Sequence, residues 1–335
     1  MTQLLQQGLP PLAVSRARTL RKTNNALQAE TKALWRSARA SDFNTAYQRI
    51  QPRLNTLVVS RQKKIANLFF ASEPMIMESF NSTVNLDTDY DFNLDSLAGT
   101  AGNGEPVDAV LSVAIIRGKQ AVLRGESAVS AQRIIGDELA RRVASILSDT
   151  ARTASLVSAK SRSPYAHYVR VLTPPSCGRC AVLAGQFSGK IAFERHPNCD
   201  CTAAWSDDEG ALAKHYAYAE DYLNSLNDDD LQHVLGSRAN ARAWKDGADL
   251  NQLVNAYRKK SDVRVAQELY NGQRVKITYN GTTRRSVAHY QMEEVGLVAR
   301  NQRATMRLMP ESIYQIAGDN QALALKLLRN YGWLY

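Results

Sequence analysis

Five residues in one short window are the ones whose types and spacing could do chemistry. The chain reads Cys177-Gly-Arg-Cys180, then fifteen residues, then His196-Pro-Asn-Cys199-Asp-Cys201. A C-x-x-C turn brings two thiolates to one side of a tight knuckle, which Gly178 should loosen. In an extended C-x-C both sulfurs project to one face, because side chains two apart do so. His196, held next to Pro197, is near enough to replace one cysteine. Zinc takes four soft or borderline ligands in a tetrahedron, and this segment offers five. Three ligand sets satisfy it: all four cysteines, or His196 with three of them, leaving out either Cys199 or Cys201. The spacing does not choose among the three.

Other chemistries are open to the same residues. A lone C-x-x-C is shared with redox pairs, so a disulfide or redox couple is the first alternative. The second cluster close by turns the reading toward structural zinc. Cys177 or Cys180 with His196 could also form a nucleophile–base pair. A catalytic zinc would need an open position and a general base, for which Glu194 is the nearest candidate. The chain has no H-E-x-x-H, no G-x-S-x-G and no phosphate loop. Full coordination is the simpler outcome for four thiols and an imidazole, so no residue is assigned as catalytic.

The remaining candidates are weaker. His167, His215, His233 and His289 lack companions at ligand spacing and read as surface or packing residues. Thr282-Thr283-Arg284-Arg285 is a basic turn that could touch a phosphate, although solvation explains it as well. Asn85 to Asp95 alternates acid or amide with apolar residues, but has neither the glycine nor the closing glutamate of a calcium loop.

Helices must position these residues. Leu20, Leu27, Leu34 and Trp35 recur at heptad-like spacing in a segment free of Gly and Pro from Leu12 to Gln51. Asp42 is the expected N-cap of a restarted helix, and Pro52 is expected to kink or end it. Trp35, Phe43 and Tyr47 could stack on bases, but helical spacing assigns them to a core. Gly118 and Gly125 should interrupt the segment after Pro106. A long helix over Ser130 to Ser161, with Ile134, Leu139, Val143, Ile146 and Leu147 on one face, ends at Ser163-Pro164. Tyr168–Leu172 alternates as a strand entering Pro174-Pro175, and Lys190–Phe193 is expected to be a second short strand.

Beyond the knuckle, Ala211–Leu226 has helical spacing, and Asn227 caps a helix stopped by Gly236. Arg274–Tyr279 is a strand between the turn signals Asn271-Gly272 and Asn280-Gly281. Pro310 opens a helix to Gly318, and Asp319 should cap the last one. The expected fold is mainly α (α+β): long N-terminal helices, a small central β-containing zinc knuckle, and a helical C-terminal region. Five segments follow: a basic helical arm (1–84), an acidic, Gly-rich linker (85–106), a helical region (107–164), the knuckle (165–205) and a mainly helical remainder (206–335).

Charge is blocked along the 335 residues, whose formal net charge is +10. Residues 1–64 carry twelve Lys/Arg against Glu30 and Asp42, whereas residues 65–106 carry seven acids and no base. A basic arm beside an acidic stretch suggests an electrostatic partner, nucleic acid or an acidic protein surface, against the alternative of a solvated helix face. All four cysteines lie between positions 177 and 201. Such clustering suits a metal site rather than a secreted disulfide scaffold. The chain opens without a basic and apolar leader, and its apolar stretches are too short to span a bilayer, so a reducing cytoplasm and no membrane are expected.

Together these residues resemble the phage Mu F-like minor head proteins, in the form found in actinobacterial phages. The resemblance rests on the long helical N-terminal region, the C-x-x-C, a spacer with Leu183 and Gly185, and His196-Pro-Asn-Cys199-Asp-Cys201. Later pieces are Leu235-Gly236, Gly281-Thr-Thr-Arg-Arg285, Leu308-Met-Pro-Glu-Ser-Ile313 and Leu327-Leu-Arg-Asn-Tyr-Gly332, so that it spans most of residues 110–335. It implies a few copies inside a tailed-phage head near the portal, assisting assembly with portal, major capsid or scaffold proteins and accompanying packaged double-stranded DNA. Related chains are often labelled capsid maturation protease, which makes cleavage of capsid or scaffold proteins the alternative function. The place implied is the virion interior, reached from the host cytoplasm during assembly.

Overall fold

Long apolar stripes at helical spacing require partners, and in this protein the partners are other long helices. In a computed structural model, the residues described are 9–38, 42–83, 91–173, 176–184, 193–196, 199–214, 219–257, 263–266, 272–302 and 305–334. The first elements are α1 (Pro11–Ser37), α2 (Phe43–Ser79), α3 (Val107–Leu123), α4 (Ala128–Arg162) and β1 (His167–Val171). Then come α5 (Gly178–Val182), β2 (Thr202–Ser206), α6 (Glu209–Ala213), α7 (Ala219–Asn224), α8 (Asp228–Leu235), α9 (Arg238–Lys245) and α10 (Leu250–Asn255). The last are β3 (Val263–Val265), β4 (Lys276–Thr278), α11 (Val287–Glu294), β5 (Arg307–Leu308), α12 (Pro310–Ala317) and α13 (Gln321–Asn330). The fold is mainly α with small antiparallel sheets, as expected. By its internal contacts the chain divides into two compact units, one of residues 2–174 and 183–221, the other of 175–182 and 222–335.

In the larger unit α1, α2 and α3 pack on α4. Leu20, Leu27, Trp35, Leu54, Phe69, Leu111, Ile135, Leu139 and Leu147 are buried together. Each such side chain contributes roughly 1.5–3 kcal/mol of burial. Trp35 and Tyr47 are therefore core residues, with the Trp35 indole N–H donating to the Gln132 carbonyl at 2.8 Å. Asp42 caps α2 as expected, its carboxylate accepting from the backbone of Asn44 and Thr45.

Neither Pro52 nor Gly118 ends its helix. Helix α2 continues through Pro52, and through Pro74, as one run of 37 residues. Burial of Ile50, Leu54 and Val58 outweighs the one hydrogen bond that Pro52 cannot donate. Gly118 lies inside α3, where a Cβ would come within 2.3 Å of Ile135. It permits close approach of α3 to α4 instead of interrupting the helix. Ile135 is the buried residue where Ile134 was expected, because Ile134 is only half-buried.

Of the acidic segment, residues 84–90 fall outside the described residues. The rest is not a simple exposed loop. Leu94–Leu97 forms a 3-10 turn, Leu97 and Ala101 pack against the core, and Thr100 bridges Pro106. A second layer of this unit is the antiparallel pair β1–β2, in register from His167↔Ser206 to Val171↔Thr202. The partner of β1 is thus β2. Phe193 is outside any strand, and Lys190–Ala192 and Pro174-Pro175 are outside the described residues.

One buried ion pair ties this unit together. Arg16 of α1 meets Glu73 of α2 at 2.6 Å, and both are essentially solvent-free. Arg16 also donates to the Ser72 hydroxyl at 3.0 Å and the Ala203 carbonyl at 2.8 Å, while Glu73 accepts from the Trp205 backbone at 3.1 Å. Ser155 of α4 donates to the same carboxylate.

The smaller unit gathers Leu253, Ile277, Met292, Leu308, Ile313, Leu328 and Trp333 into a core beside the sheet β3–β4–β5. Asn227 caps α8 and Gly236 ends it in the left-handed conformation, as expected. Asn271 lies outside the described residues, and the expected strand over 274–279 shrinks to β4. The last helix is capped by Asn320 rather than Asp319, its amide oxygen accepting from Leu323. The single helix expected over 211–226 is two, since α6 ends at Ala213 and α7 starts at Ala219.

Candidate metal centre

Arg152 is the residue around which the C-x-C backbone is arranged. It is buried on α4, and its Nε donates to the Cys201 carbonyl at 3.0 Å while Nη2 donates to the Cys199 carbonyl. Its Nη1 donates to Asp149 Oδ1 at 2.8 Å, and Arg195 Nε meets the same oxygen at 2.7 Å. Burial holds the Asp149 carboxyl above the ordinary carboxylate range, against the pull of Arg152 and then Arg195. Arg21 of α1 binds the Asp200 carboxylate at 2.6 Å, fixing the residue between the two cysteines. Immediately after Cys201 the chain enters β2, whose first residue pairs with Val171.

The approach to His196 is held in the same way. Arg170 of β1 lies 3.9 Å over the Phe193 ring and donates Nη2 to the Glu194 carbonyl at 2.6 Å. The Cys199 amide donates to the His196 carbonyl at 3.1 Å, tying two of the candidate ligands together.

Cys177 and Cys180 sit at the start of the short helix α5, where the Ala181 amide donates to the Cys177 carbonyl at 3.0 Å. Gly178 is not there to loosen a turn. A Cβ on it would lie 2.9 Å from Val254 Cγ2 and 3.0 Å from the Val234 carbonyl, so only glycine lets α5 seat against α8 and α10. The buried Tyr222 hydroxyl accepts from the Ser176 amide and donates to the Ser176 carbonyl at 2.9 Å. That clamp fixes the residue before Cys177.

The five predicted residues fall in two groups of three that could each hold a metal ion. A ring nitrogen of His196 and the sulfurs of Cys177 and Cys180 lie within 4.8 Å of one another. The sulfurs of Cys180, Cys199 and Cys201 do the same, so Cys180 belongs to both groups. Cys180, Cys199 and Cys201 are buried, His196 is half-buried and Cys177 is exposed. No disulfide joins any of the four cysteines. Tetrahedral coordination with metal–sulfur bonds of about 2.3 Å puts sulfurs roughly 3.8 Å apart, so the spacing within each group suits a metal ion. The cluster could bind a metal.

The other sequence candidates are placed elsewhere. Glu194 is exposed and in neither ligand group. His167 meets Glu209 at 2.8 Å, and His289 is buried with Nδ1 3.3 Å from the Thr282 carbonyl, which are surface and packing roles as expected. His215 is outside the described residues. Sequence reasoning missed Arg152, Asp149, Arg170 and Tyr222. The first two stand at i and i+3 on the buried face of a helix, a place that normally excludes unpaired charge. Among the described residues no helix is long and apolar enough to cross a membrane. No protein-family model, curated protein or solved structure matches the chain.

Proposed function

We propose that this protein is a zinc-stabilised minor head protein of a tailed phage, a structural and binding component inside the head near the portal. The observation that carries the reading is the convergence of C-x-x-C and H-x-x-C-x-C in one largely buried cluster, with the carbonyls of Cys199 and Cys201 already held by Arg152. Thiolates and an imidazole around zinc, backed by a fixed second layer, make a fold element rather than an open catalytic site. The His-Pro-Asn-Cys-Asp-Cys motif, with the later segments that accompany it, supplies the phage-head assignment.

The partners are portal, major capsid or scaffold proteins and packaged double-stranded DNA. Exposed Lys22, Arg36, Arg53 and Lys64 on α1 and α2 supply the sequence-independent charge that DNA phosphates attract. Co-expression with the phage's capsid, scaffold and portal proteins, followed by intact-mass measurement, tests the role. Unchanged masses, with this chain retained in the particles, are expected. A truncated product that appears only when this chain is present would instead make it the capsid maturation protease.

A further inference from the structure

The larger unit contains a concave site that the metal centre does not use. It has a volume of about 420 Å³ and is lined by Arg117 of α3, by Arg141 and Arg142 of α4, and by Arg195. Glu138 and Asp149 are the acids in its lining, so guanidinium groups exceed carboxylates by two. The acids hold the cations in place and leave donors on Arg141 and Arg195, whereas Arg142 is engaged at all three nitrogens, by Glu138 and by the Val110 carbonyl at 3.2 Å. Glu138 binds Arg142 at 2.8 Å and also engages Arg141, while Asp149 takes Arg195 through Nε alone. Both terminal nitrogens of Arg195, and Nε and Nη1 of Arg141, remain as donors. Arg117 is exposed and forms no hydrogen bond or ion pair with the described residues. One wall is the loop at Gly102, where a Cβ would lie 2.5 Å from Asp149 Oδ2. Glycine there lets the loop close against the carboxylate that positions Arg195.

A dispersed charged face would be solvated and shapeless. Here four guanidinium groups line one hollow, three of them held by the half-buried Glu138 or the buried Asp149, with donors left on Arg117, Arg141 and Arg195. Guanidinium forks match the paired oxygens of a phosphoryl group, and an excess of two positive charges matches its charge. We propose that this hollow is a binding site for phosphoryl groups, either free or borne on a nucleic-acid backbone. The proposal does not depend on the phage-head reading.

Titration of the metal-loaded full chain with inorganic phosphate, and separately with a short DNA duplex, tests it. Arg117→Ala should weaken phosphate binding about tenfold, and Arg117→Ala with Arg141→Ala should abolish it. Arg117 is exposed and unpartnered among the described residues, so its loss leaves the fold intact. Lys326→Ala, in the other unit, should change nothing. If duplex affinity falls as well, and its salt dependence becomes shallower by about one unit of slope per arginine, the phosphoryl group is that of DNA. If phosphate binding alone falls, the site takes a free phosphoryl ligand. Absence of phosphate binding by the unmodified chain, or equal binding by the double variant, would overturn the proposal.

Discussion

Arg152 and Glu73 show how much of this molecule depends on single buried charges. Arg152 donates to two cysteine carbonyls and to Asp149, so Arg152→Ala removes the brace behind the C-x-C and leaves Asp149 with only Arg195. Loss of such supports typically costs a metal site ten- to hundredfold in affinity, and breaking a buried pair costs about 3–5 kcal/mol. Chelator competition and urea unfolding of Arg152→Ala should show both losses. A variant that unfolds earlier but holds metal as tightly would separate Arg152 from the site. Glu73→Ala leaves Arg16 buried without its anion and should likewise cost about 3–5 kcal/mol. Arg16→Met combined with Glu73→Leu should cost much less than the two single changes together, because an apolar pair needs no compensation. Urea unfolding of all three variants makes that comparison. The cluster was legible at this scale because thiols and imidazole at fixed spacing have few other uses. Its supports were not, because an arginine on α4 carries no mark of the carbonyls it will reach across the fold.

Helices were legible from their stripes and caps. Asp42, Asn227, Pro310 and the Ser163-Pro164 stop all fell where the chain's own chemistry put them. The misjudged places share one cause, tertiary packing overriding a local preference. Pro52 sits in mid-helix because its neighbours Ile50 and Leu54 are buried, and Gly118 is a contact surface for Ile135. The first case makes a prediction. Pro52 is exposed, so Pro52→Ala should restore the missing backbone donor without disturbing packing. Relief of an interior proline, less the entropy that proline removes from the unfolded chain, should stabilise the protein by about 1–2 kcal/mol. Thermal and urea midpoints would check it, and a loss of stability would mean that Pro52 serves α2 in another way. Strand β2 was missed because Thr-Ala-Ala-Trp-Ser has little β character. Its pairing with β1 and the Glu73 carboxylate at Trp205 make it a strand.

At the scale of the whole chain, the charge blocks have a physical meaning that their sequence order conceals. Part of the basic block is answered within the molecule. Arg16 is internal, Lys63 meets Asp95 at 2.7 Å in the acidic segment, and Lys32 meets Asp137 at 2.7 Å. A basic arm read from residues 1–64 therefore overstates the charge available to a partner, and the exposed remainder is smaller than the count of Lys and Arg. The mainly α class was visible in the sequence. The grouping of residues 175–182 with 222–335 was not, because it follows from the seating of Gly178 against Val234 and Val254.

The central claim is that four of the five candidate ligands hold one structural zinc ion. The most direct test is the zinc content of the chain purified from zinc-supplemented cells without chelator, compared with Cys180→Ser. Cys180 belongs to both ligand groups, so its loss breaks each of them. One zinc per chain in the unmodified protein, absent from the variant and removed by chelator with a fall in melting temperature, is the predicted result. A chain that folds and melts identically without metal, or a variant that keeps its zinc, would contradict the account.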